Sequence, residues 1–88
     1  MKWSIRITDT CKKELNKLDK QFQTVILKYL YTRVSKLDHP RLLGEPLRHD
    51  LKGLWRYRVS KFRIVCRIQE ETLVVLIVQI GHRSDVYK

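Results

Sequence analysis

Two alternating segments, Leu54-Trp55-Arg56-Tyr57-Arg58-Val59 and Phe62-Arg63-Ile64-Val65-Cys66-Arg67-Ile68, are separated by only two residues, Ser60-Lys61. A connection this short forces an antiparallel hairpin and fixes its register. Val59 then faces Phe62, and Arg58 faces Arg63. Because strand side chains alternate, Phe62, Ile64, Cys66 and Ile68 share one face. Arg63, Val65 and Arg67 share the other, with Leu54, Arg56 and Arg58 opposite them. Arg56, Arg58, Arg63 and Arg67 therefore form a basic plate. Like charges directly opposite each other destabilise a sheet. Stability alone would not select this arrangement; a bound polyanion would explain it.

The remaining pattern supplies a sheet and its cover. Lys2-Trp3-Ser4-Ile5-Arg6-Ile7 alternates like a half-buried strand. Thr8 or Asp9 caps a first helix with the apolar stripe Cys11, Leu15 and Leu18. Asp19 caps a second, with Phe22, Val25, Ile26, Tyr29, Leu30 and Leu37 at helical spacing and Arg33 interrupting them. Asp38-His39-Pro40 ends it. Residues 38–53 hold both prolines and two of the three glycines. They predict an irregular connection anchored by Leu42, Leu43, Leu47 and Leu51. Strands follow near 54–59, 62–69 and 72–80, with Glu70-Glu71 in the second turn. The run Leu73–Val78 is apolar throughout, as in a central strand buried on both faces. The expected fold is α+β, in the order β-α-α-β-β-β. A mainly antiparallel four-stranded sheet carries a helical hairpin on one face.

Eighty-eight residues make one domain, 1–88. Nineteen Lys+Arg against nine Asp+Glu give a net charge of +10. That field suits a nucleic acid, an acidic protein, or both. A membrane surface fits less well, because no helix sets a Lys/Arg face against a Trp/Phe/Leu face. No run is long enough to span a bilayer and no signal-peptide pattern opens the chain, so a cytoplasmic location is expected. Cys11 and Cys66 match no metal or redox spacing, and His39 and His49 have no ligand spacing. Neither a metal nor a cofactor is expected.

RNA cleavage without a metal needs a 2′-hydroxyl that loses a proton and attacks the adjacent phosphorus. The added charge must be stabilised, and the 5′-oxygen must be protonated. Guanidinium groups serve phosphoryl oxygens well, being planar, always charged and bidentate. Aromatic rings stack on unpaired bases. The plate, with His82, Arg83 and Tyr87 in the tail, contains these group types. His82 alone has an ordinary pKa near neutrality. Its ring faces either the plate or the sheet edge; alternation past Gly81 leaves both open. Arg67 extends the phosphate track. Trp55 and Tyr57 alternate inward, to the core.

The element order, the Arg-x-Arg strand 56–58, Phe-Arg-Ile-Val at 62–65 and Ile-Gly-His-Arg-Ser-Asp-Val-Tyr at 80–87 resemble the RelE branch of the RelE/ParE toxin superfamily over nearly the whole chain. The resemblance implies a toxin of a type II toxin–antitoxin system that cuts mRNA in the A site of the 70S ribosome. It also implies neutralisation by a RelB-like antitoxin, with operator DNA bound only by the toxin–antitoxin complex. It assigns Arg56 and Arg58 to the active-site strand, with Arg58 at the proton-accepting position. Arg63 stabilises the phosphorane, Arg83 acts as acid or charge stabiliser, and Tyr87 orients the nucleophile or stacks on a base. Some members carry lysine at the positions of Arg56 and Arg58. Lysine can be tuned into a base, whereas arginine stays protonated, which leaves the general base unassigned.

Two other functions accommodate the charge. A ParE-like toxin poisons gyrase by protein binding, and that activity needs no phosphate-cleaving plate. A non-catalytic nucleic-acid-binding module explains +10 but not the convergence of hairpin and tail.

Overall fold

The computed structural model describes residues 3–47 and 53–82. Strand β1 (Ser4–Ile7) is followed by helices α1 (Asp9–Asn16) and α2 (Lys20–Tyr29), then β2 (Glu45–Pro46), β3 (Leu54–Val59), β4 (Phe62–Gln69) and β5 (Val74–His82). Among the described residues the sheet has five strands, in the order β1-β5-β4-β3-β2. β1 runs parallel to β5, and the other pairs are antiparallel. The α+β class and helical cover agree with the sequence reading; the strand count is corrected from four to five. The extra strand, β2, lies inside the segment expected to be irregular, and two residues are too few for a period-2 pattern to show.

Thr8 caps α1, its hydroxyl accepting the Cys11 N–H at 3.2 Å. Asp19 holds the N-cap position of α2 without a side-chain cap bond. α2 continues into a π-helical segment, Leu30–Val34, closed by the Ser35 N–H donating to the Leu30 carbonyl at 3.0 Å. The wider turn changes which residue faces inward. Ile26, Leu30 and Val34, spaced by four, are fully buried and Arg33 is turned to solvent. An α-helical count had given that core position to Arg33. Ser35, also fully buried, donates its hydroxyl to the Tyr31 carbonyl and accepts the Trp3 N–H on its own carbonyl, tying β1 to the helix end.

The core lies between the helices and the inner face of the sheet. Trp3, Cys11, Leu15, Ile26, Leu30 and Val34 pack on Tyr57, Val59, Phe62, Ile64, Cys66, Ile68, Val75, Ile77 and Ile80. A second, small cluster on the outer face joins Leu47 and Val65, with Leu54 and Val78 packed against them. Of the four leucines expected to anchor the connection, Leu47 and Leu43 do so, Leu42 is exposed, and Leu51 lies outside the described residues. Val25 is exposed rather than core. Leu73 leaves the apolar run for the turn, with φ +55° and half its surface exposed.

Candidate functional site

The hairpin has the register its two-residue turn requires. Val59 pairs with Phe62, Arg58 with Arg63, Arg56 with Val65 and Leu54 with Arg67. Ser60 makes the turn at φ +56°. Lys61 stacks over the Phe22 ring, 4.6 Å from its centroid, clamping the turn to α2. The inner side of β3 is tied to the preceding segment. The Tyr57 hydroxyl donates to the Pro40 carbonyl at 2.6 Å, and Trp55 Nε1 donates to the Leu43 carbonyl at 2.7 Å. Burial raises the Tyr57 phenol well above its ordinary pKa and pushes the Cys66 thiol up to about 12. Both groups are therefore neutral, structural parts of the inner face.

The outer face brings Arg56, Arg58 and Arg63 together. Arg58 and Arg63 are direct cross-strand neighbours. Arg63 is only 7% exposed. It stands on the middle strand, flanked by Arg58 of β3 and Gly81 of β5, and neighbouring strands cover its stem. Arg67 is set apart. It is four residues further along β4, about 13 Å at strand rise, with buried Val65 between.

The arginine group contains a carboxylate that composition and alternation had not marked. Glu45 pairs with Arg56 across the β2–β3 ladder. Its Oε1 accepts from Arg56 Nη2 at 2.9 Å and lies 3.7 Å from Arg58 Nη2. Gly44 makes this possible. Its φ is +80°, and a Cβ there would lie 2.3 Å from the Arg56 carbonyl oxygen and 2.6 Å from Trp55 Nε1. Only glycine allows so close a backbone approach. Pro46 is tolerated because β2 is an edge strand. The signal available in the sequence was Gly-Glu-Pro itself: a glycine, a charge and an edge proline just ahead of a basic strand.

His82 does not join the plate. Val65 pairs with Gln79 but Cys66 pairs with Ile77, so Val78 is an extra residue, a β-bulge. The bulge reverses the parity of β5. Val75 and Ile77 face inward before it, and Ile80 does after it. His82 consequently pairs with Phe62 on the helix side, its ring edge-on at 6.1 Å, while Gly81 faces Arg63. Arg83 and Tyr87 lie outside the described residues. No group of three or more His, Cys, Asp or Glu side chains suited to a metal occurs among the described residues.

A further cluster lies at the far end of the hairpin. His39 Nε2 meets Glu70 Oε2 at 3.0 Å, and Arg41 Nη1 lies 3.6 Å from the same oxygen. The hydrogen bond to His39, then the Arg41 charge, holds the exposed Glu70 carboxyl below its usual range. His39 Nδ1 accepts the Arg41 N–H at 3.1 Å, so both ring nitrogens are engaged. These contacts fasten the connection to the β4–β5 turn and are remote from the plate.

A family model described as the ParE toxin of type II toxin–antitoxin systems matches residues 5–87. The chain belongs to this family of toxin–antitoxin toxins, within its RelE-type branch. Toxin RelG of Mycobacterium tuberculosis is 30% identical over 88 residues, covering 100% of this chain and 99% of that protein. Toxin RelE of the same organism is 30% identical over 86 residues, covering 98% and 87%. Among solved structures, the M. tuberculosis RelBE2 toxin–antitoxin complex aligns with a TM-score of 0.85 at 28% identity, covering 97% of this chain and 95% of that one. The RelE–RelB complex of Pyrococcus horikoshii aligns at 0.74 and 20% identity, covering 97% and 99%, a likeness of fold. No helix among the described residues is long and apolar enough to cross a membrane.

Proposed function

We propose that this toxin is a ribosome-dependent endoribonuclease that cuts mRNA in the A site by attack of a 2′-hydroxyl on the adjacent phosphate. The observation that carries the reading is the Arg58–Arg63 cross-strand pair with Arg56 and the Glu45 carboxylate on one open face. Two guanidinium groups side by side are costly to a free sheet and well matched to a phosphodiester.

Glu45 supplies the base that arginines cannot be. Its carboxylate takes the 2′-hydroxyl proton as the 2′-oxygen bonds to phosphorus. Arg63 and Arg58 hold the non-bridging oxygens as the phosphorane gathers charge. The P–O5′ bond then breaks, and the 5′-oxygen takes a proton from water. Arg83, at the position the family resemblance assigns, counters its charge, and Tyr87 orients or stacks on the message. Arg56 holds Glu45 in place, and Arg67 guides the strand downstream. His82 keeps the hairpin end packed and takes no part in the proton transfers. The products carry a 2′,3′-cyclic phosphate and a 5′-hydroxyl. The ribosome positions the message, a contribution of proximity that a chain of this size does not supply alone.

A RelB-like antitoxin neutralises the toxin in the cytoplasm, and the pair, not the toxin, binds operator DNA. Complexes of related toxins with their antitoxins support this partnership. Primer extension on translated mRNA after induction tests the activity. Cuts within codons with 5′-hydroxyl ends are expected, lost in Arg63→Ala. The ParE description of the family model favours gyrase poisoning as the second reading. Uncut mRNA together with inhibited supercoiling by gyrase would establish it instead.

A further inference from the structure

We propose that Gln79 is a specificity-determining residue that reads the base of the nucleotide beside the cleaved bond, next to Gly81, the strand position opposite Arg63 that carries no side chain. This rests on the endoribonuclease reading above. The starting point is the bulge at Val78. Had β5 kept the parity of Val75 and Ile77, Gln79 and Gly81 would face the helices, and Ile80 and His82 would face out. The extra residue buries Ile80 and turns Gln79 and Gly81 to the outer face, opposite Val65 and Arg63. Bulges beside active sites re-aim side chains in this way.

Burying Ile80 accounts for the bulge but not for the two residues delivered outward. Exposed strand positions favour β-branched residues. Glycine inside a strand weakens it, and it commonly marks a point where a ligand comes close. Gly81 is such a glycine. Across the sheet, one row reads Arg58, Arg63, Gly81, two long cations and then no side chain. A phosphate held by the arginines can therefore carry its neighbouring nucleotide down onto the β5 backbone. The next row reads Glu45, Arg56, Val65, Gln79. Gln79 is exposed and diagonal to Arg63, about 7–8 Å away, within the span of one nucleotide.

The chemistry separates the two ends of that row. Guanidinium groups hold phosphate whatever the base. Glu45 is engaged by Arg56 and Arg58. At the other end, the Gln79 carboxamide offers a donor beside an acceptor, the pair that meets adenine bidentately at its amino group and ring nitrogen. Base preference next to the cut is thus set from β5, and adenine is the base it favours.

The test is sequencing of 5′-hydroxyl ends from ribosome-bound mRNA cut by the full chain, comparing wild type with Gln79→Ala and Gln79→Glu. With profiles normalised to total ends, the adenine preference beside the cut should fall about 5-fold or more in Gln79→Ala. Gln79→Glu, an acceptor only, should shift cuts towards cytosine, which presents an amino donor. Gly81→Val should lower cleavage while leaving the melting temperature unchanged or raised, a combination that a merely structural glycine would not give. Profiles that match wild type in both Gln79 variants, or full cleavage by Gly81→Val, would overturn the inference alone. If wild type gives no 5′-hydroxyl ends at all, the nuclease reading falls and this inference falls with it.

Discussion

The two faces of the β3–β4 hairpin alternate along the same six cross-strand pairs, yet they obey different rules. On the inner face Tyr57, Val59, Phe62, Ile64, Cys66 and Ile68 are all buried under the helices, and the polar tips there are neutral or bonded to carbonyls. On the outer face cations stand side by side, with the Glu45 carboxylate drawn in from the sheet edge. The inner face is what a core needs. The outer face contains a local conflict, adjacent arginines, that a stable sheet would avoid, and such conflicts mark functional positions. Substitutions on the two faces should therefore separate activity from stability.

The largest effect is expected on the outer face. Arg58→Ala and Arg63→Ala should each lower ribosome-dependent cleavage about 10²–10³-fold. Their stabilities should differ. Arg58 is half exposed and its loss should change stability by no more than about 0.5 kcal/mol, whereas Arg63 is nearly buried and its removal leaves a space in the middle strand. Single-turnover cleavage, with folding checked by circular dichroism, measures both. Wild-type rates in both variants would erase the functional difference between the faces.

Next comes the edge that feeds the outer face. Gly44→Ala should destabilise the fold by about 1–3 kcal/mol through strain at its positive φ, since the new Cβ would meet the Arg56 carbonyl. It should also lower the cleavage rate of the folded fraction, because Glu45 would be carried away from Arg56 and Arg58. If the rate per folded molecule were unchanged, Glu45 would have no part in proton transfer. Glu45→Gln then sharpens the result, keeping the size of the side chain while removing the base.

On the inner face the expected signature is a pH dependence. The Cys66 thiol is pushed up to about 12 and the Tyr57 phenol is raised further, both chiefly by burial. Raised values mean stability that is complete below the unfolded pKa and lost as pH climbs past it. Unfolded Cys66 begins to ionise near 9 while the native thiol stays neutral, so each pH unit above that should cost about 1.4 kcal/mol. Urea midpoints between pH 8 and 11 check this. A flat profile in wild type, or the same slope in Cys66→Ala, would show that the inner face is less dry than its packing indicates.

The hairpin was legible because its two-residue turn and strict alternation leave only one register, and the buried Tyr57, Ile64 and Cys66 follow from it. The places that were not legible are those where the backbone departs from a regular period. The π turn after Tyr29 buries Val34 in place of Arg33. The Val78 bulge sends His82 to the helix side and Gln79 to the plate, a change of parity that apolar residues on both sides of the bulge conceal. Glu45 was missed because its position depends on a tertiary approach, Gly44 against β3, and not on any repeat within its own segment. Alternation across the hairpin placed Arg56, Arg58 and Arg63 as neighbours on one face, but it carried no information about the carboxylate among them.

The smallest predicted effect concerns the turn that joins the faces. Ser60 adopts φ +56° at the first position of the two-residue loop, where glycine is the favoured residue. A non-glycine residue in the left-handed region costs about 1–2 kcal/mol. Replacing it with glycine recovers that strain but adds about 0.5–1 kcal/mol of freedom to the unfolded chain. Ser60→Gly should therefore stabilise the protein by about 0.5–1 kcal/mol. The Arg58–Arg63 register is already fixed by the loop length, and Lys61 still clamps the turn on Phe22, so cleavage should be unchanged. Denaturant unfolding and single-turnover cleavage measure the two quantities. A stabilised variant with altered cleavage would mean that the strained turn helps aim the arginines. A variant that is no more stable than wild type would mean that Ser60 has a compensating contact the turn depends on.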